Sequence, residues 1–212
     1  MEGIKKLVFL VVKRIFDIVS GIVGTCVLFL PAAILIFIIY KLKGYSGSIF
    51  FKQERLGLNG KKFKIIKFRS MIENAEEVLR SNKVLYRKYV ENGYKLAPEE
   101  DPRLTTIGAF IRKTSIDELP QFINILKGDM SFIGPRPIIE EEIQEYKGSD
   151  KDKFLSVKPG ATGYWQVSGR SNVSYPERCD IELYYVDNMS LLLDLKILLN
   201  SFAQVISKTG AY

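Results

Sequence analysis

Hydrophobic and polar positions separate an apolar N-terminal run from a longer mixed body. From Ile18 to Tyr40 no residue is charged, with Lys13, Arg14 and Asp17 before the run and Lys41 and Lys43 after it. Such a run reaches the roughly 20 residues that cross a bilayer as a helix. The apolar part of a secretory signal is only about 7–15 residues long and leads to a small-residue cleavage site, so this run reads as a membrane element. Both flanks are basic, with Lys5, Lys6, Lys13 and Arg14 on one side and Lys41, Lys43, Lys52 and Arg55 on the other. The positive-inside bias therefore draws both ends to the cytoplasm. Pro31 stands just past the middle, where it removes a backbone donor and crowds the preceding turn. A re-entrant hairpin and a spanning helix with a proline kink both satisfy these features.

Beyond the run the period changes. Between Ile49 and Arg69, basic residues (Lys52, Arg55, Lys61, Lys62, Lys64, Lys67, Arg69) interleave with Phe50, Phe51, Phe63, Ile65, Ile66 and Phe68. This spacing predicts a β-hairpin turning at Asn59-Gly60. Its basic face is either solvated strand or a platform for anionic headgroups and phosphates beside the membrane. Nucleic acid also suits basic-aromatic interleaving, but the adjoining membrane run argues against it.

Residues 71–91 read as one amphipathic helix ended by Asn92-Gly93, and Glu99-Glu100-Asp101-Pro102 as a turn. Helices are expected over Thr106–Lys113, Ile116–Lys127, Ile138–Tyr146, Tyr175–Val186 and Leu191–Lys208, and a loop over Lys158–Gly163. The last helix is apolar nearly all round, which suits packing on the body or lying at a membrane interface. Neither a repeat nor a low-complexity segment is present. The expected fold is α+β and mainly helical: a membrane-associated element over residues 1–45, then a compact cytoplasmic domain over 46–212 with a small β-hairpin and interface-lying amphipathic helices.

Composition narrows the chemistry. The 31 Lys and Arg outnumber the 24 Asp and Glu, and the net charge of +7 suits nucleotide phosphates, nucleic acid or an anionic leaflet. Histidine is absent from all 212 residues, which excludes imidazole bases, Ser-His triads and His-ligated metals. The two cysteines, Cys26 in the apolar run and Cys179, are too far apart in sequence and setting to suggest a disulfide, so a reducing environment is expected for the polar part. With no histidine to activate it, neither reads as a catalytic thiol.

The densest group of reactive side chains is Arg112-Lys113-Thr114-Ser115-Ile116-Asp117-Glu118-Leu119-Pro120. Ser115 with Glu118 fits a capping box, and acidic residues suit the first turn of a helix. A helix start also gathers N–H groups that attract phosphate and keep a carboxylate ionised, so the cap and a catalytic role are compatible. Arg112 is either a C-terminal cap or a planar donor to phosphate oxygens.

Six ordered blocks carry a resemblance: Lys67-Phe68-Arg69-Ser70-Met71, Asp101-Pro102-Arg103, the stretch from Arg112 to Gln121, Lys127-Gly128-Asp129-Met130-Ser131, Gly134-Pro135-Arg136-Pro137, and Pro159-Gly160 followed by Gly163 and Trp165 to Arg170. In this order the chain resembles the bacterial sugar transferases, the monotopic polyprenyl-phosphate phosphoglycosyl transferases, from Lys13 to Tyr212. Pro31 is similar to the family's helix-breaking proline, which favours the re-entrant hairpin, although Leu30 stands where some members carry serine.

The resemblance implies an Asp-Glu dyad, Asp117-Glu118, and Mg²⁺ held through Asp117. Asp117 would attack the sugar-proximal phosphorus of a UDP-sugar and release UMP, and polyprenyl phosphate would take the phosphosugar from the aspartyl intermediate. Substrate contacts are implied for Arg112, Arg136, Arg170, Lys67, Arg69 and Asp180, while Trp165 is expected in the core and Asp194 in a structural role. A salt bridge for Arg136 and a solvated strand for Lys67 and Arg69 are the plainer alternatives. The implied location is the cytoplasmic face of the inner membrane, in contact with its lipids. A homodimer is compatible with the motifs. The C-terminal residues resemble members that handle galactose or glucose. Outside this family, a membrane-anchored scaffold that binds lipids or a partner enzyme would use the same basic face without catalysis.

Overall fold

The computed structural model describes residues 2–94, 96–168 and 173–207. Helical backbone runs without interruption from α1 (Glu2–Val23) through a π-helical turn (Gly24–Phe29) into α2 (Leu30–Leu42). The stretch Gly3–Leu42 is long and apolar enough to cross a membrane. Pro31 lies two residues beyond the π turn, and Leu30 donates its N–H to the Thr25 carbonyl, five residues back. The turn adds one residue to the helical path just where the proline lacks a donor. No residue from Val23 to Leu30 leaves the helical region.

One stripe of this long helix lies on the body. Asp17, Gly21, Gly24, Phe29, Ile36 and Tyr40 are its buried positions. Steps of three, four and seven residues hold to one helix face, whereas the step from Gly24 to Phe29 is five. The π turn absorbs that extra residue, so Phe29, Ile36 and Tyr40 stay in line with Asp17 and Gly21. Asp17 accepts hydrogen bonds from Ser131 Oγ (2.9 Å) and the Phe132 N–H (2.8 Å). A Cβ at Gly24 would stand 2.3 Å from the Phe122 ring, so glycine permits this close approach. The remaining faces expose Ile15, Ile18, Val19, Ile22, Val27, Leu28, Ile34, Leu35 and Phe37, an apolar surface far larger than scattered exposed residues would give.

Strands β1 (Phe50–Leu56) and β2 (Lys62–Phe68) form the expected antiparallel hairpin, with Phe51 opposite Lys67 and Arg55 opposite Phe63. Asn59 (φ 55°) and Gly60 (φ 74°) make its turn, in the left-handed region that Asn and Gly tolerate best. The single helix expected over 71–91 is two, α3 (Ala75–Ser81) and α4 (Lys83–Glu91). Asn82 separates them because its side chain accepts the Leu85 N–H and caps the second. Helix α5 (Thr106–Lys113) has the expected limits and starts on Thr105, whose hydroxyl accepts the Gly108 N–H.

The helix expected over 116–127 is divided at Pro120 into a 3₁₀ turn (Ile116–Glu118) and α6 (Gln121–Lys127). Ser115 is left-handed (φ 55°) and makes no side-chain cap, so the expected capping box does not form. Residues 138–146 hold only a 3₁₀ turn (Glu142–Glu145), because Glu142 is drawn into distant contacts. The expected loop at 158–163 contains β4 (Gly160–Thr162), paired in parallel with β3 (Ser131–Ile133). Helices α7 (Asp150–Leu155), α8 (Tyr164–Ser168), α9 (Glu177–Asp187) and α10 (Leu191–Ser207) complete the described chain. Helix α10 buries Ile197 and exposes Leu192, Leu195, Leu199 and Phe202.

Candidate active site

Asp117 is carried on the 3₁₀ turn between α5 and α6. Side chains three apart eclipse in such a turn, and Ile116 and Leu119 both pack into the cluster of Phe29, Ile36, Tyr40, Phe68 and Ile111. The long helix and β2 thus clamp the turn from its apolar side. Asp117 is left 6% exposed. Burial pushes its carboxyl up to about 6, with Glu118 adding like-charge repulsion and Lys67 and Arg112 opposing the shift. Among the described residues no cation pairs with it within ion-pair distance. A buried carboxylate with cations nearby but none engaged is poised to meet another charged group.

Two of the expected substrate-binding residues stand at this turn. Lys67, at the end of β2, places Nζ 2.7 Å from Glu118 Oε1. Arg112, at the end of α5, has Nη1 3.9 Å from Asp101 Oδ2 and contributes to the field on Asp117. The side chain of Asp101 is fully buried and takes both Nε and Nη2 of Arg103 at 2.7 Å. This bidentate pair fixes the carboxylate that faces Arg112. Asp101 was legible only as part of the Asp-Pro-Arg block; its link to Arg112 spans eleven positions and left no periodic signal.

The other expected contacts lie elsewhere. Arg69 binds Glu73 (2.8 Å) and the Ser46 carbonyl, its guanidinium lies 5.3 Å from the centre of the Tyr40 ring, and the Tyr40 hydroxyl donates to its carbonyl. These bonds fasten the end of α2 to the hairpin and do not aim Arg69 at Asp117. Asp180 is exposed on the first turn of α9. Arg170 lies outside the described residues. Trp165 is buried as expected, and Asp194 is structural as expected, bound to Lys13 Nζ (2.6 Å) and the Tyr185 hydroxyl (2.7 Å).

Arg136 belongs to a second, buried cluster. Its N–H donates to Glu182 Oε1 (3.2 Å), and its guanidinium lies 5.8 Å from the centre of Trp165. Arg178 sits 4.4 Å from the same ring and bonds Glu142 at 3.3 Å. Glu142 also takes Arg55 (3.2 Å) and the Tyr175 hydroxyl (3.0 Å). Burial pushes Glu182 up to about 7, against the pull of Arg178 and the Arg136 N–H. Arg178 and Glu182 are one helical turn apart, a spacing that could have marked them as a pair from sequence. The cluster holds the Gly134–Pro137 segment against α9. Gly160 is needed for a second clamp on that segment, since a Cβ there would lie 2.1 Å from the Gly134 nitrogen.

The residues fit a loosely held Mg²⁺ better than a protein-enclosed metal. No cluster of three or more Asp, Glu or Cys suited to a metal occurs among the described residues. Mg²⁺ commonly takes one or two carboxylates and completes its shell with water and substrate phosphates. Asp117 offers the buried, unpaired carboxylate for that, while Glu118 is already engaged by Lys67.

Comparison with known proteins gives consistent matches. The family model described as bacterial sugar transferase matches residues 8–208. A UDP-galactose-lipid carrier transferase of Erwinia amylovora is 46% identical over 204 residues, covering 94% of this chain and 41% of that protein. An undecaprenyl-phosphate galactose phosphotransferase of Salmonella typhimurium is 44% identical over 203 residues, with the same two coverages. The exopolysaccharide production protein ExoY of Sinorhizobium fredii is 41% identical over 204 residues, covering 94% of this chain and 88% of ExoY. The chain thus spans about two fifths of the first two relatives and most of the third.

Proposed function

The chain belongs to the bacterial sugar transferase family, and on that footing we propose that it transfers a sugar-1-phosphate from a UDP-sugar to polyprenyl phosphate. The observation that carries this reading is the buried, unpaired carboxylate of Asp117 between Lys67 and Arg112. An Asp117 oxygen attacks the sugar-proximal phosphorus, the bond from that phosphorus to the bridging oxygen breaks, and UMP leaves with the electron pair. A phosphate oxygen of the polyprenyl phosphate then attacks the same phosphorus and frees the Asp117 carboxylate, giving the polyprenyl diphosphate sugar. Neither displacement takes a proton from a hydroxyl nucleophile, which suits a chain without histidine.

Arg112 binds the phosphoryl oxygens, and Asp101 holds Arg112 in place. Lys67 keeps the charge of Glu118 turned from Asp117. A further donor contact is assigned to Arg136 and to Arg170 on family likeness alone. Asp117 would hold Mg²⁺ together with the diphosphate, and when bound the ion supplies charge that offsets repulsion between carboxylate and phosphate. The hexose is galactose, which the Erwinia and Salmonella relatives' names carry, or glucose, which the name of an Escherichia coli relative carries.

The same reading places residues 1–45 in one leaflet and residues 46–212 on its cytoplasmic side. The long helix is tied to the body at both ends of its apolar run, through Lys13, Arg14 and Asp17 and again through Phe29, Ile36 and Tyr40. A helix held along one face by the body supports a monotopic element that lies with the body on one side of the membrane. The exposed leucines of α10 suit the same interface.

The test is to incubate the purified chain in lipid nanodiscs with UDP-galactose or UDP-glucose, with and without polyprenyl phosphate. UMP release, with a phosphosugar adduct on the peptide containing Asp117 when the acceptor is withheld, is the expected result. No UMP from either donor would sink the proposal.

A further inference from the structure

We propose that the cavity between the hairpin, α3, α4 and residues 139–141 receives the nucleoside of the donor, with the diphosphate running from there past Arg112 to Asp117. This rests on the reading of the chain as a nucleotide-sugar phosphotransferase. The cavity measures about 230 Å³ and is lined by Arg55, Tyr86, Tyr89, Tyr94, Glu140 and Glu141 among others. Clefts for drug-sized ligands run to roughly 300–1,000 Å³, so this one holds a part of a nucleotide sugar and not the whole.

The wall chemistry selects the base and ribose. Tyr86 and Tyr89 have ring centroids 6.2 Å apart, and Tyr89 and Tyr94 meet edge to face at 5.8 Å. Such rings offer stacking surface to a base. Tyr94 is held left-handed (φ 62°), a conformation that bulky side chains rarely adopt and that tends to collect at binding sites.

Charge argues against a phosphate in the same place. Lys62 is bound to Glu54 and Glu140, Arg80 to Glu76, and Arg55 to Glu142. With its cations committed and carboxylates in excess at the wall, the cavity repels an anion. Ribose hydroxyls can instead donate to those carboxylates.

Position separates the nucleoside from the hexose as occupant. The Arg103 guanidinium lies 5.8 Å from the centre of Tyr89, and Arg103 grips Asp101, which faces Arg112 beside Asp117. The cavity is therefore set back from Asp117 by this row of charged side chains. The hexose is bonded to the phosphate that Asp117 attacks and must stay close to it. The nucleoside lies at the far end of the diphosphate and has that distance to cover.

Binding of UMP to the full chain in nanodiscs tests the site without requiring turnover. Photo-crosslinking with 5-iodo-UMP is expected to label the peptide bearing Tyr86, Tyr89 or Tyr94, with UMP competing. Tyr86→Leu is expected to weaken UMP about tenfold and to raise the donor KM equally, leaving the polyprenyl phosphate KM within twofold. Glu140→Gln, at the exposed rim, repeats the test without touching the tyrosine packing, with about threefold weaker UMP binding expected. Crosslinks confined to other peptides, or UMP affinity unchanged in both variants, would overturn the site. If UMP binds as expected but no phosphosugar is transferred, the transferase reading fails while the site stands. Transfer with unaltered UMP affinity removes the site alone, and no UMP binding at all removes both.

Discussion

Lys67 on β2 and Glu118 on the 3₁₀ turn meet at 2.7 Å, so the hairpin and the turn that carries Asp117 share one ion pair. Glu118 is partly exposed, and pairs of this kind contribute at most about 1 kcal/mol to stability. The effect on Asp117 is the larger consequence. Lys67 favours its ionised form, and Glu118 disfavours it.

Opposite shifts in pH dependence follow for the two partners. Lys67→Met removes a positive charge, so Asp117 binds its proton more tightly and the acid limb of UMP release moves to higher pH. Glu118→Gln removes a negative charge and moves the limb to lower pH. Initial rates across pH 5–8 at fixed Mg²⁺ read both, at roughly half a unit or more each. Shifts in the same direction would contradict the geometry.

Asp117→Asn is expected to reduce UMP release by at least about 10³-fold, as loss of a nucleophile does elsewhere. The phosphosugar adduct should vanish from the mass spectrum. Normal turnover in this variant would move the nucleophile to another residue.

The same variant should be more stable than the parent at neutral pH. In the fold the Asp117 carboxyl is raised from 3.8 to about 6, so the folded chain binds this proton more tightly than the unfolded chain. The group's contribution is fully present below the unfolded value and is lost as pH rises through 6. Above pH 7 the resulting deficit is about 1–3 kcal/mol. In a chelator at pH 8, Asp117→Asn should melt about 3–8 °C above the parent, and the gap should narrow towards pH 5. An equal gap at both values would assign the effect to something other than ionisation.

Asp101→Asn should destabilise the chain by about 3 kcal/mol or more, because it leaves the Arg103 guanidinium buried and unpaired. Replacing both partners by leucine and methionine should cost less than the single change. Urea unfolding of the parent and the two variants makes the comparison. A milder single mutant would show that Arg103 finds another acceptor.

Much of the framework was legible where periodicity is local. Alternation over Phe63-Lys64-Ile65 and Lys67-Phe68-Arg69 and the Asn59-Gly60 turn marked the hairpin, and helical spacing over Thr106–Lys113 marked α5. The same rules failed where distant partners decide. Strands β3 and β4 are three residues long and gain their order from each other across the Gly134–Gly160 approach. Residues 138–146 have helical spacing, yet Glu142 is taken by Arg55, Tyr175 and Arg178. The Ser115 cap was a sound local inference overridden by the left-handed turn that points Asp117 inward. Family blocks marked Asp117, Glu118, Lys67 and Arg112, and Asp101 and Arg103 stood in a block of their own, but nothing in it showed that this pair braces Arg112.

The wide turn at Gly24–Phe29 acts as a phase corrector between two amphipathic halves. In an α-helix each residue advances the side-chain direction by about 100°. Deleting one residue between Gly24 and Phe29 would shorten their step to four and let the segment close as ordinary α-helix with both halves still in phase, whereas inserting one would swing one half by that angle. Either Lys13 and Asp17 or Phe29 and Tyr40 would then face lipid in place of the body. The segment is thus constrained by angle, so single-residue insertions there should be far less tolerated than a single deletion or substitutions among its lipid-facing residues.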